Sequence, residues 1–356
     1  MRILISSYTG LGNFILKTPL ISSIYKKYNN CQIDLLFGNA WGAENVLKGS
    51  NLINIQYWLA PDASFIEKRK IFKILQKNKY DLVILPFDSS PGFVLFLSKF
   101  YLKDALIISH MSPYSPSLIR RIKSAIYLVL FKVNWVPVIN GRHEIDLNLD
   151  LLQAINKEKV SYKYDTFLSW KKEDLSCFSL PAMYVVMQIS AANGAPTPKI
   201  WHPENFSALI ARLLLKYPKT SVVLVGDSGD LNSLSGDVTL NGDRVINLMG
   251  KTTLNQLCNI LNQAHVVVAH DSGIMHVANA LKTPLVALYG PTDYTRTAPL
   301  SPTTQVLHSH NECWRKSYGF QNEEANLAQE YPNFYCMSGI SVEQVMDALN
   351  KILKGS

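Results

Sequence analysis

The feature that most limits the fold of this chain is an alternation of short apolar runs and amphipathic helical patterns that occurs twice along its 356 residues. In the first half, Arg2–Ser6, Gln32–Phe37, Asp81–Leu85 and Ala105–Ile108 read as buried strands, and helical spacing covers Pro19–Tyr28, Phe65–Gln76 and Ser117–Phe131. Such alternation predicts a parallel sheet with helices on both faces. From Asn156 to Leu180 the pattern dissolves into charged and polar residues, and it restarts after Pro181 with the strand "AMYVVMQIS" and the helix "HPENFSALIARLLLKYP". One hydrophobic core seldom grows to this length. The expectation is therefore an α/β chain of two Rossmann-like domains, 1–160 and 181–340, joined by a linker at 161–180. A last helix, 341–356, opens on a Ser341/Gln344 capping box and carries Val342, Val345, Met346 and Leu349 as its apolar stripe. Open parallel sheets bind ligands outside the carboxyl ends of their strands, so a cleft between the two sets of strand ends is the expected site.

Charge and cysteine usage narrow the partners. A formal net charge of +8 points to an acidic partner, whether nucleic acid, a phosphorylated small molecule or an anionic membrane surface. The lysines are dispersed and no basic groove interleaved with aromatics is present, which argues against nucleic acid. Five cysteines, at 31, 177, 258, 313 and 336, are odd in number and lack a C-x-x-C pair, so neither a disulfide framework nor a zinc site is expected. A reducing cytoplasm is the expected compartment, since the N-terminal apolar run is too short for a signal peptide. The run "RRIKSAIYLVLFKVNW" is too short to span a bilayer, yet its basic flank, Arg120, Arg121 and Lys123, would suit an anionic leaflet as well as a core-packed helix.

Three loops carry the chemistry. After the first strand stands "SYTGLGNFILKTP", where Gly10 and Gly12 are expected to supply positive-φ freedom and Thr18-Pro19 to open a helix whose inner face is Ile21, Ile24, Tyr25 and Tyr28. Ile15 stands where a dinucleotide fingerprint needs glycine, and Asn13 occupies the tip of the turn. In "VVVAHDSGIMHVANALKTPLVALYGPTD", Asp271 ends a buried strand, Ser272 is the expected N-cap, and Gly273 lets a ligand approach the helix N-terminus, a ready site for phosphate. Ile274, Val277, Ala278 and Leu281 form the expected apolar stripe, which places His276 off the buried face as a ligand contact. Gly290 and Thr292, on the loop after the next strand, offer further donors to the same anion. A third loop carries Lys199 and Trp201, and the lysine would offset diphosphate charge.

Taken together, D-S-G-x-x-H-x-x-x-A-L at 271–281, P-x-x-x-L-Y-G-P-T-D at 284–293, K-x-W-x-P-E-x-F at 199–206 and the opening G-L-G-N-x-x-x-x-T-P resemble glycosyltransferase family 9, the lipopolysaccharide heptosyltransferase family. The resemblance implies a GT-B fold and a nucleotide-diphosphate sugar donor, ADP-heptose, held by the C-terminal domain. It also implies a glycolipid or glycan acceptor held by the N-terminal domain, a membrane-bound acceptor that would bring peripheral contact with the anionic inner membrane, and inversion at the anomeric carbon without a metal or other cofactor. The absence of any D-x-D agrees with the last point. The donor set expected on this basis is Ser190, Lys199, Asp230, Asp271, Ser272, Gly273, His276, Gly290 and Thr292, with Asp230 standing where the family often has a glutamate. Gly10, Gly12 and Asn13 are the expected acceptor loop. Asn13 replaces the family's usual catalytic aspartate, and an amide takes no proton at neutral pH. The catalytic set is then Asn13, Asp271 and a displaced base, Asp88, with Glu144 or Asp146 as alternatives; otherwise the chain binds nucleotide-sugar or glycan without catalysing transfer.

Overall fold

The computed structural model describes the chain except for residues 30, 39–41, 87–90, 112–132, 140, 157–164, 191–197, 228, 230–241, 315, 317–320 and 355–356. The helical pattern at 117–131, and with it the basic flank expected at a membrane, lies outside the described residues, as do Asp88 and Asp230. The chain divides into two compact units, Met1–Ser169 and Trp170–Ser356.

In the first unit six parallel strands, β1 (Arg2–Ser7), β2 (Gln32–Phe37), β3 (Ile55–Trp58), β4 (Leu82–Leu85), β5 (Leu106–Met111) and β6 (Asn134–Pro137), lie in the order β3-β2-β1-β4-β5-β6. The order reverses between β1 and β4, which pair directly, and such a switch point is where open α/β sheets leave room for a ligand. Sequence reading passes over β3 and β6, which are short edge strands with several exposed positions and no apolar run. Helices α3 (Phe65–Lys77) and α4 (Gly92–Tyr101) pack together through Phe72, Leu75, Val94 and Leu97. α1 (Leu11–Ile15), α2 (Thr18–Lys27) and α5 (Glu144–Asn156) lie against one another, with Leu16 packed on Ile145 and Leu149. Asp34, fully buried in β2, is clamped by Arg2, by the Tyr80 hydroxyl at 2.6 Å and by the Asn54 amide at 2.8 Å, so this carboxylate ties strands together.

The first loop departs from expectation in two ways. Gly10 has φ −71°, and neither it nor Gly12 is among the positive-φ glycines, because the chain turns through the short helix α1 and needs no left-handed residue. Lys17, not Thr18, caps α2, and the Thr18 hydroxyl donates to the Ile15 carbonyl at 2.7 Å, linking the two helices.

The second unit repeats the plan with β7 (Tyr184–Gln188), β8 (Ser221–Val225), β9 (Val245–Asn247), β10 (Val266–His270), β11 (Leu285–Tyr289) and β12 (Thr304–His308), ordered β12-β11-β10-β7-β8-β9. Here the switch falls between β7 and β10. Helix α6 (Pro203–Lys216) buries Phe206, Leu209, Ile210 and Leu213, and the C-terminal helix Val342–Lys354 packs on it with Val345, Met346 and Leu349 buried, its Ser341/Gln344 capping box in place. Part of the expected linker is built into this unit: Lys171 N and Glu173 N donate to the side-chain oxygens of Asn255 and Asn259 on helix α7 (Leu254–Gln263).

The cysteine expectation is overturned. Cys313 and Cys336, 23 residues apart in sequence, are disulfide-bonded. The loop after β12 folds back over the segment at 335–337, where the Asn311 amide donates to the Tyr335 carbonyl, and so brings together two cysteines that sequence spacing leaves unrelated.

Candidate functional site

The loops after β7 and β10 leave the sheet on either side of the second switch point, and they bring Lys199 and Asp271 together. The Lys199 ammonium lies 3.3 Å from one Asp271 oxygen and His276 Nε2 lies 4.0 Å from the other. Burial pushes the Asp271 carboxyl up, but the positive charge of Lys199, that of His276 and the donors of Thr292 and Lys199 outweigh it and hold the group below the ordinary aspartate value. The carboxylate therefore stays ionised and lies between Lys199 and His276.

His270 fixes this geometry. Its Nε2 accepts the Trp201 N–H at 3.0 Å, the Trp201 indole donates to the Ile340 carbonyl at 2.8 Å, and the indole is fully buried edge-on against Phe206. One imidazole thus ties the residue beside Asp271 to the loop that carries Lys199. Burial lowers the His270 pKa to about 4, against the pull of the Ser190 backbone and Asp271, so the ring is neutral at physiological pH and available as an acceptor. Sequence reading misses His270; the one signal was a polar residue closing an otherwise apolar strand.

Helix α8 (Gly273–Ala280) starts at the same point. Ser272 is its N-cap residue, with extended φ −155°, but its hydroxyl donates to Gln188 Oε1 at 2.6 Å and does not cap the helix. The first-turn N–H groups of α8 therefore keep their positive end without a side-chain acceptor from Ser272, an arrangement suited to an anion. His276 is 2% exposed, contrary to the expected open face. Met275 through Ala278 are all buried, because α8 is enclosed by β10, β11 and α7 and its remaining side lies against the Asp271 turn. His276 reaches the site from within.

The other expected donor residues divide. Ser190 is fully buried with no partner for its hydroxyl among the described residues, and Thr292 is buried with its hydroxyl near Asp271 at a geometry short of a full hydrogen bond. Gly290 lies against the 336–337 segment: a Cβ there would stand 2.4 Å from the Met337 sulfur and 3.1 Å from the Cys336 carbonyl, so close packing demands glycine. Among the described residues no cluster of three or more histidine, cysteine, aspartate or glutamate side chains is placed to hold a metal ion.

In the first unit, Asn13 is exposed on α1 at the carboxyl edge of β1, with Gly10 and Gly12 beside it. Beneath it lies Lys17, 2% exposed, whose ammonium donates to the Asn13 carbonyl at 3.0 Å and to the Thr9 hydroxyl at 3.1 Å. Thr9 in turn meets Ser7 at 3.0 Å. Sequence reading misses this buried lysine, four residues after Asn13 and flanked by apolar positions. Glu144 is buried and Asp146 half-buried at the start of α5.

The sequence profile of glycosyltransferase family 9 (heptosyltransferase) matches residues 102–325. The chain belongs to this family. It is 26% identical over 357 residues to lipopolysaccharide heptosyltransferase 3 of Escherichia coli, covering 97% of both chains. The glycosyl transferase family 9 structure from Veillonella parvula superposes with a TM-score of 0.77 at 20% identity, covering 100% of this chain and 98% of that one. The E. coli ADP-heptose lps heptosyltransferase II gives 0.70 at 20% identity over 100% and 99%. The architecture of two six-stranded parallel sheets with flanking helices is GT-B-like, and the chain is a glycosyltransferase of this family.

Proposed function

We propose that this family 9 enzyme transfers a heptose from ADP-heptose to a lipopolysaccharide core or related bacterial surface glycan, with inversion and without a metal. The observation that carries the reading is the Lys199–Asp271–His276 cluster at the N-terminus of α8. The E. coli relatives bear names that specify lipopolysaccharide and, for one, ADP-heptose.

In the proposed reaction the acceptor hydroxyl oxygen attacks the anomeric carbon as the bond from that carbon to the diphosphate oxygen breaks. The diphosphate leaves with the electron pair, and its new charge is met by Lys199, His276 and the helix N-terminus. The acceptor's proton passes to a carboxylate. Asn13 orients the hydroxyl with its amide, and Asp88, three residues past β4 in the sequence, is the proposed base. The test is transfer of labelled heptose from ADP-heptose to a core acceptor, with EDTA present. Asp88→Asn should lower kcat roughly 10²–10⁴-fold at unchanged donor affinity, while Asn13→Asp should be tolerated or activating. A protein that binds ADP-heptose but transfers only as Asn13→Asp would establish the second reading, a non-catalytic binder, which the amide at position 13, unable to take a proton, favours.

A further inference from the structure

Among the described residues, five of the large exposed hydrophobic side chains stand on two adjacent helices of the first unit. Phe65 and Ile66 are each 66% exposed, Ile74 46%, Phe96 37% and Phe100 60%. Exposure of this kind, concentrated on one layer, marks an interaction surface.

The helical geometry of α3 shows how the surface is composed. At about 100° per residue, Phe65, Ile66 and Ile74 fall on one arc of about 180°; Leu75, which reaches the core, lies opposite, and the buried Phe72 lies just past the arc's edge at Phe65. Arg69, Lys70, Lys73 and Lys77 occupy the same outward arc, all exposed. The one acid of the helix, Glu67, is exposed at the edge of the arc, about 20° past Ile74, and is engaged in the capping box with Ser64. Apolar side chains interleaved with four cations and bordered by a single acid are unsuited to a basic protein partner and complementary to a surface that is apolar within and anionic at its face.

α4 extends the surface. Phe96 and Phe100 meet one turn apart with ring centroids at 4.7 Å and planes tilted by 53°, and the Lys68 ammonium of α3 sits 4.4 Å over the Phe93 ring of α4, joining the helices. Phe93 in turn meets Tyr8 edge-on at 6.1 Å, and the Tyr8 hydroxyl donates to the Leu59 carbonyl ahead of α3. Tyr8 is the residue before the Thr9–Asn13 loop. The surface is therefore braced directly against the loop that carries Asn13.

We propose that the outward surface of α3 and α4 seats the first unit on an anionic lipid leaflet. Phe65, Ile66, Ile74 and Phe100 enter the headgroup boundary, and the cations of α3 lie among the lipid phosphates. No described helix is long and apolar enough to cross a membrane, so this is attachment to one face. On the proposed transferase reading, a lipid-borne acceptor would then be presented beside Asn13.

The test uses the full chain without donor: flotation with vesicles of phosphatidylcholine alone or with one-third phosphatidylglycerol. Wild-type protein should float far better with the anionic vesicles than with the neutral ones, and its partition should fall steeply from 50 to 500 mM salt, as screening shortens the reach of surface charge. Each basic residue near such a leaflet contributes about fivefold, so Lys70→Glu with Lys73→Glu should lower partition at least about 25-fold. Phe65→Ser with Ile66→Ser should abolish the part that survives high salt. These four side chains are exposed, and an unchanged melting temperature will show that the variants fold. The proposal is overturned if wild-type protein ignores anionic vesicles or binds both kinds equally. It also fails if only Arg120→Glu with Arg121→Glu abolishes binding, or if Phe65→Ser with Ile66→Ser breaks a dimer in sedimentation while vesicle binding is unchanged. Vesicle binding without transfer would leave this surface standing and count against the transferase reading instead.

Discussion

At the residue scale, the ion pair at the second switch point fixes what single substitutions should do. Lys199→Ala removes the ammonium 3.3 Å from Asp271 and should weaken ADP binding by about 1.5–3 kcal/mol, the range for hydrogen bonds to charged groups. Calorimetry that returned wild-type affinity would remove Lys199 from the donor site. His270 acts one step further out. His270→Leu fills similar space but leaves the Trp201 N–H buried without its acceptor, so the Lys199 loop should loosen and the donor KM should rise. His270→Gln carries an oxygen near the position of Nε2 and should restore most of that loss. If Leu and Gln behave alike in donor KM, the imidazole is a packing residue and the loop is held by the Trp201 indole alone.

At the scale of elements, the loop after β11 is shaped by contact more than by ligand. Gly290→Ala would drive a methyl group into Met337 and the Cys336 carbonyl, and overpacking of this kind costs about 1–3 kcal/mol. Thermal unfolding should show that loss; an unchanged melting temperature would mean that the 336–337 segment yields freely. Here the sequence and the structure can be compared element by element. β2, α3, α6, α7 and the last helix are legible because each has a strong period and, in several cases, a capping box. The edge strands β3 and β6 are not, since they expose several residues and leave no apolar run, and β12, half-buried throughout with only two apolar residues in five, leaves no apolar run either. The stripe on α8 misleads for the opposite reason: a helix enclosed by two strands and another helix has no solvent face to leave a period behind. Lys199, Asp271 and His276 are legible as a set because residue type, strand end and helix start coincide. Lys17, His270 and the Cys313–Cys336 pair are not, because what makes each significant is a neighbour distant in sequence or a burial that its residue type does not announce.

At the scale of the whole molecule, each unit encloses a fully or nearly fully buried histidine that its surroundings hold neutral, and these two rings shape how the chain responds to acid. His110 on β5 is buried with its Nε2 donating to the Leu147 carbonyl at 2.8 Å, and burial, with the charge of Lys17 adding to it, lowers its pKa to about 4. His270 is lowered to about 4 in the second unit, again by burial. In the unfolded chain both rings take a proton near pH 6.5. Between about pH 6.5 and 4 the unfolded state therefore binds more protons than the folded one, so stability must fall as the pH falls across that window. Each shift corresponds to about 3 kcal/mol, a large part of the 5–15 kcal/mol that holds a typical protein folded. Above pH 7 neither histidine contributes a slope. Asp271 works in the same direction but lower: its depressed pKa gives stability that is present above about pH 4 and lost only below it. The expected result is a melting temperature that is flat from pH 8 to 7 and drops steeply from 6.5 to 4. His110→Gln and His270→Gln, which cannot take a proton, should each remove a large share of that drop whatever they do to stability at pH 8. A wild-type melting temperature that stays level down to pH 5 would mean that both rings are already protonated in the folded protein, and Trp201 N–H would then need a different acceptor from the one that positions Lys199.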